Sequence, residues 1–120
     1  MTKKATLVIG ASENPSRYSN MAIRSLRDYD HPVVALAKRE GQVADVRIET
    51  DFPSMEIDTV TMYVGQKHQA EYYDKVLQLK PRRVIFNPGT ENPEFYQLLE
   101  DNRIEPVEAC TLVMLRIGNY

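Results

Sequence analysis

The strongest constraint on this chain is an alternation: compact β-branched apolar runs take turns with stretches whose apolar residues recur at helical spacing. Ala5-Thr6-Leu7-Val8-Ile9 is short and has no polar face, the pattern of a strand covered on both sides. The pattern returns at Pro32-Val33-Val34-Ala35-Leu36 and at Asp58 to Val64, where Val60, Met62 and Val64 share a face. It returns again at Arg83-Val84-Ile85-Phe86 and, in shorter form, at Ile104 to Glu108. Between these runs lie helical stripes. Ala22, Leu26 and Tyr29 mark one from Ser19 to about Tyr29. Ala70, Tyr73, Val76, Leu77 and Leu79 mark a second from Gln66 to Leu79, stopped by Pro81. Asn92 is a good N-cap, with Pro93 in the first helical position and Glu94 in the first turn of a helix that runs to about Asn102. Thr111 to Ile117 closes the chain as an apolar helix that should dock on the sheet. Gly41-Gln42 reads as a turn, and Val46 to Thr50 as a short extended piece. Strands and helices alternating in this way imply right-handed crossovers and a parallel sheet. The expected fold is a three-layer, Rossmann-like, doubly wound α/β domain with a mainly parallel five-stranded sheet, residues 1–120 forming one domain.

Composition narrows the function. A net charge of −2 offers no basic footprint for nucleic acid. No apolar run approaches the roughly 20 residues that cross a bilayer. The N-terminal apolar stretch is too short for a signal peptide, so a cytoplasmic location is expected. One cysteine, Cys110, excludes an intrachain disulfide. The apolar C-terminal helix leaves a homodimer as an open expectation.

In a doubly wound sheet, ligands bind beyond the carboxyl ends of the strands, where strand order reverses. The loops after the strands therefore carry the functional reading. The first, Gly10 to Asn20, has one glycine rather than the three of the dinucleotide fingerprint. Gly10 permits a sharp turn, Ala11 and Ser12 are small enough for a phosphate to approach, and a helix N-terminus follows. Ser12, Ser16 and Ser19 add hydroxyls, and Arg17 a fork for phosphate oxygens. The alternative is a plain β-to-α turn with helix-capping serines. An NAD site ends its second strand with an acidic residue for the ribose. Here Ala37-Lys38-Arg39 places two cations, which points to a ribose bearing an extra phosphate, as in NADP or coenzyme A. A solvated basic loop is the alternative. In the third loop, Gly65 permits close approach and Val64 could pack on an adenine, while His68 either touches the ligand or, the commoner case, is an exposed capping residue. His31, at the amino end of the second strand, has no expected role. The fourth loop, Asn87 to Asn92 with Gly89, either holds a ligand's polar chain or serves as a turn and cap. Cys110 precedes a helix and is either a reactive thiol or a small buried hydrophobe.

The strand followed by Gly10-Ala11-Ser12, then Asn14-Pro15-Ser16-Arg17-Tyr18-Ser19-Asn20, resembles the stand-alone CoA-binding domain family, which is similar to the nucleotide-binding domain of the succinyl-CoA synthetase α chain. Lys38-Arg39 and Cys110 match the basic residue and the cysteine that the family carries after its second and last strands. The resemblance implies a CoA-binding Rossmann domain. Gly10, Ala11 and Ser12 would line the diphosphate, with Arg17 and Ser19 nearby. Lys38 or Arg39 would meet the ribose 3′-phosphate, and Val64 would lie near the adenine. The family often has Asn-Pro ahead of the basic residue, where this chain has Leu36-Ala37. Neither His31 nor His68 matches the synthetase's phosphorylated histidine, so ligase chemistry is not implied.

The sequence has no Ser-His-Asp set, no paired His/Cys metal cluster and no Walker loop, so the expected function is binding of coenzyme A or an acyl-CoA without catalysis. Two alternatives stand: an NADP-binding oxidoreductase subunit, and a partner-binding module with a vacant nucleotide site. A signalling receiver is disfavoured, because its acidic pocket would fall at Gly10 and Val64-Gly65.

Overall fold

The computed structural model describes residues 2–120. In chain order the elements are β1 (Thr6–Ile9), α1 (Tyr18–Asp28), β2 (Val33–Leu36), β3 (Gly41–Val43), β4 (Val46–Glu49), β5 (Thr59–Met62), α2 (Tyr73–Leu79), β6 (Arg83–Phe86), α3 (Pro93–Asp101), β7 (Glu105–Glu108) and α4 (Thr111–Ile117). Two 3-10 turns, Gln66–His68 and Ala70–Tyr72, precede α2.

Side chains alternate across a strand, so a run that is apolar throughout needs cover on both faces. Leu7 and Ile9 of β1 pack in one core with Val60, Met62, Val84 and Phe86, beneath Val76 of α2 and Phe95 and Leu99 of α3. Val8 and Ile85 point to the other face, where Ile23 and Leu26 of α1 and Met114 and Leu115 of α4 cover them. The result is three layers. Phe86 anchors the first core, edge-on to Phe95 at 5.6 Å and to Tyr96 at 4.7 Å between ring centroids.

The strand order is β3-β4-β2-β1-β5-β6-β7. Every neighbouring pair is parallel except β3 with β4. The order reverses at β1, which has β2 on one side and β5 on the other. That crevice is where a doubly wound sheet binds ligands.

Three expectations are corrected. The sheet is mixed and has seven strands, not five. Gly41 and Gln42 do not turn the chain; they begin β3, and Val46–Glu49 joins the sheet as β4, parallel to β2. The hairpin turn is Ala44-Asp45, inside the Val43↔Val46 pair, with Ala44 at φ +53°. The stretch 66–79 is not one helix either. The Gln69 side chain is fully buried and bonded to neighbouring loops, and the α-helix starts only at Tyr73. The remaining elements lie within a few residues of their expected bounds. Asn92 caps α3 by accepting from the Phe95 N–H at 3.3 Å.

Candidate functional site

A cleft of about 1150 Å³ opens at the carboxyl edge, over the ends of β1, β2 and β5. It is lined by all ten residues singled out from the sequence: Gly10, Ala11, Ser12, Arg17, Ser19, Lys38, Arg39, Val64, Gly65 and Gly89. Topology explains the convergence, because parallel strands end at one edge and deliver their loops together.

The β1–α1 turn is fixed from beneath. The N–H groups of Gly10 and Ala11 both donate to the Leu36 carbonyl, at 2.9 and 3.1 Å, so the Ala11 amide is spent within the protein. Gly10 has φ +94°, and a Cβ there would lie 3.0 Å from both the Tyr63 carbonyl carbon and Val64 Cγ2. Its missing side chain therefore lets the ends of β1 and β5 touch. The serines shape the loop rather than cap the helix. Ser12 Oγ accepts from the Asn14 N–H at 3.1 Å, and Asn14 Oδ1 accepts from the Ser16 amide and hydroxyl at 3.0 and 2.8 Å. Asn20 Nδ2 donates to the Ser12 carbonyl at 2.9 Å. Arg17 is the N-cap residue of α1, and no side chain caps the helix. An 11-residue helix thus begins uncapped on the cleft wall, with Arg17, Tyr18 and Ser19 around its first turn.

The second loop holds two unlike cations. Lys38 Nζ is hydrogen-bonded to the Glu71 carboxylate and lies 5.6 Å from the centre of the Tyr72 ring. The Glu71 contact raises the Lys38 pKa. Arg39 is exposed and makes no ion pair among the described residues. Glu13 reaches across from the first loop and accepts from the Gln42 N–H at 2.9 Å. A Cβ on Gly41 would fall 2.6 Å from Glu13 Cδ, so the glycine makes room for that carboxylate.

The third and fourth loops are stapled together. Gln69 Nε2 donates to the carbonyls of Val64 and Thr90, both at 2.8 Å, and its Oε1 accepts from Asn92 Nδ2 at 2.9 Å. Asn87, in the loop read either as a holder of a ligand's polar chain or as a turn and cap, is committed internally. Its Nδ2 donates to Thr61 Oγ1 and the Met62 carbonyl at 2.7 and 2.9 Å, while its Oδ1 accepts from the Thr111 N–H at 2.9 Å. Gly65 and Gly89 differ from Gly10: a Cβ at either would meet nothing within 4 Å. His68 is exposed on the cleft wall. His31 lies buried by Lys4 and Tyr120, its Nδ1 accepting from the Lys4 N–H at 2.9 Å. Cys110 is half-buried at the N-cap of α4 and does not line the cleft. Among the described residues no group of acidic, histidine or cysteine side chains could hold a metal ion, and no helix is long and apolar enough to cross a membrane.

Sequence reasoning missed Glu13, Ile48, Tyr63, Glu71 and Tyr72 on the cleft wall. Ile48 enters because β4 is in the sheet. Burial raises the Tyr63 phenol pKa, which keeps the group protonated and neutral. Glu71 and Tyr72 sit in a turn that the helical stripe concealed.

Helices on both faces of a mostly parallel sheet, with a cleft at the reversal of strand order, define a Rossmann-like α/β domain. The family model of the CoA binding domain matches residues 4–116, and the chain belongs to that family. A crystal structure of an uncharacterized protein is similar over 100% of both chains, with 41% identity and a TM-score of 0.96. A Thermus thermophilus structure aligns over 98% of this chain and 91% of its own, at 20% identity and TM-score 0.86. An acetyl-coenzyme A synthetase of Ca. Korarchaeum cryptofilum, solved with phosphate and ADP, aligns over 88% of this chain and 25% of its own, at 14% identity and TM-score 0.75. The last two likenesses concern the fold. No curated protein matches the chain.

Proposed function

We propose that this chain binds coenzyme A, or an acyl-coenzyme A, in the cleft at the carboxyl edge of the sheet. The observation that carries the reading is the uncapped start of α1 beside Arg17, opening on the cleft of a CoA-binding-domain family member. Unspent amides and the helix dipole favour an anion there. In this reading the diphosphate lies between the Gly10-Ala11-Ser12 turn and the first turn of α1, with Arg17 and Ser19 beside it. Arg39 and Lys38 meet the ribose phosphate, and the adenine packs near Val64. Gly65 and Gly89 line the cleft, and a Cβ at either would meet no atom within 4 Å, so both leave open wall. The role is one of binding, and no catalytic step is assigned to any residue.

Calorimetric titration with coenzyme A, dephospho-coenzyme A and NADPH tests the proposal. Saturable binding of coenzyme A in preference to NADPH is the expected result. Preference for NADPH, or binding of none of the three, overturns it. Within the same experiment, Arg39→Ala should weaken coenzyme A about ten-fold and leave dephospho-coenzyme A nearly unchanged, because a hydrogen bond to a charged group contributes about 1.5 kcal/mol or more.

A further inference from the structure

We propose that Glu71 is a specificity-determining residue of the cleft, competing with an anionic group on the ligand's ribose for the Lys38 ammonium. The inference rests on the coenzyme A reading above and refines it at one residue.

Lys38 leaves the carboxyl end of β2, and Glu71 belongs to the 3-10 turn Ala70–Tyr72 that precedes α2. They belong to different loops, 33 residues apart in sequence, both lining the cleft, and the ion pair joins them. The Tyr72 ring, next to Glu71, also faces the ammonium. The two adjacent cations of the second loop are therefore not equivalent. Lys38 already has a carboxylate, whereas Arg39 has none among the described residues. A phosphate arriving at Lys38 has to displace Glu71 or share the ammonium with it.

The other two acidic residues of the cleft cannot act in this way. Glu13 is held by the Gln42 N–H and lies against Gly41, and Glu40 pairs with Arg47 at 3.6 Å. Neither engages a cation that the coenzyme A reading uses. Glu71 alone is bonded to one. Both members of the Lys38–Glu71 pair are solvent-exposed, with side chains 71% and 50% accessible. An exposed pair holds its partner by a factor of about five at most. A phosphate can therefore win Lys38, but at reduced affinity. A ligand without that phosphate leaves the pair undisturbed and loses nothing. Glu71 thus narrows the preference for the phosphorylated ribose below what two unpaired cations would give.

The test is a double-mutant cycle on the full chain, with Glu71→Gln, Lys38→Met and the double variant, each titrated with coenzyme A and with dephospho-coenzyme A. Glu71→Gln should tighten coenzyme A by about three- to five-fold and move dephospho-coenzyme A by less than about two-fold. In the Lys38→Met background the gain for coenzyme A should fall below about two-fold. Because both side chains are exposed, melting temperatures should stay close to wild type, and they are measured alongside. Equal tightening of both ligands, or a gain that persists without Lys38, overturns the inference and shows Glu71 acting as a general negative charge. Normal coenzyme A binding with no response to Glu71→Gln also overturns it while leaving the coenzyme A reading in place. Absence of binding in both wild type and Glu71→Gln overturns the coenzyme A reading itself, and the inference with it.

Discussion

Replacing Gly65 separates two tasks of a residue in the cleft wall, supporting the fold and leaving room for a ligand. Gly65 has φ −63° and ψ 156°, an extended conformation open to any L-residue. A Cβ built there meets no atom within 4 Å, so the start of a side chain is accommodated without a clash. Substitutions of glycine at such compatible positions stabilise by about 0.4–1 kcal/mol, through the lost freedom of the unfolded chain. For a domain of this size that is a rise in Tm of about 1–5 °C. Gly65 lines the cleft, so in the coenzyme A reading a leucine there competes with the ligand for space. Forcing extra methylene groups into a filled space costs about 1–3 kcal/mol. The coenzyme A dissociation constant should therefore rise by about 5- to 150-fold in Gly65→Leu. Thermal unfolding by circular dichroism and calorimetric titration measure the two quantities on the same sample. The expected outcome is a Tm at or above wild type together with weakened binding. Wild-type affinity in Gly65→Leu would refute contact between the ligand and the third loop. A clear drop in Tm would refute the open-space argument itself.

Gly10→Ala should behave in the opposite way: φ +94° and a Cβ at 3.0 Å from the Tyr63 carbonyl carbon destabilise the free protein by about 1–3 kcal/mol or more, visible as a lower Tm without ligand. Asn87→Ala removes three hydrogen bonds that tie β6 to β5 and to the start of α4, so the urea midpoint should fall by the equivalent of about 2–4 kcal/mol with an unchanged m-value. An unchanged midpoint would show that water replaces the amide. The His31 pKa is lowered, first by burial and then by Lys3, Lys4 and Arg83, so folding favours the neutral ring. Its stabilisation is complete above the unfolded pKa of about 6.5 and is lost as pH falls through the lower folded value. Wild-type Tm should accordingly drop more steeply on acidification below about pH 6.5 than that of His31→Gln, and parallel curves would contradict the assignment.

What the sequence reveals is what neighbours in the chain decide. The run Thr6 to Ile9, the Asn92-Pro93 helix start and the α4 stripe each carry their own signal, and each forms where expected. The hairpin of β3 and β4 is hidden because its strands have three and four residues and its turn uses Ala44 at positive φ instead of a glycine. The break before α2 depends on Gln69 finding carbonyls at Val64 and Thr90, and no local pattern encodes that. The same divide runs through the cleft. Strand-end geometry brings the loops together, so their residues can be gathered from topology alone. The pairings Lys38–Glu71 and Glu13–Gln42 bridge 33 and 29 residues, and they emerge only once the loops have met.

The outermost strands carry a consequence for self-association. β3 is three residues long, and its antiparallel partner β4 presents Arg47 between Glu40 and Glu49. At the opposite border, β7 reads Glu-Pro-Val-Glu, where Pro106 offers no N–H and Glu105 and Glu108 add charge. Both borders thus discourage an incoming strand, the usual seed of runaway sheet growth. Folded copies of this chain are thereby kept from adding to one another strand by strand, so the sheet stops at its own two borders.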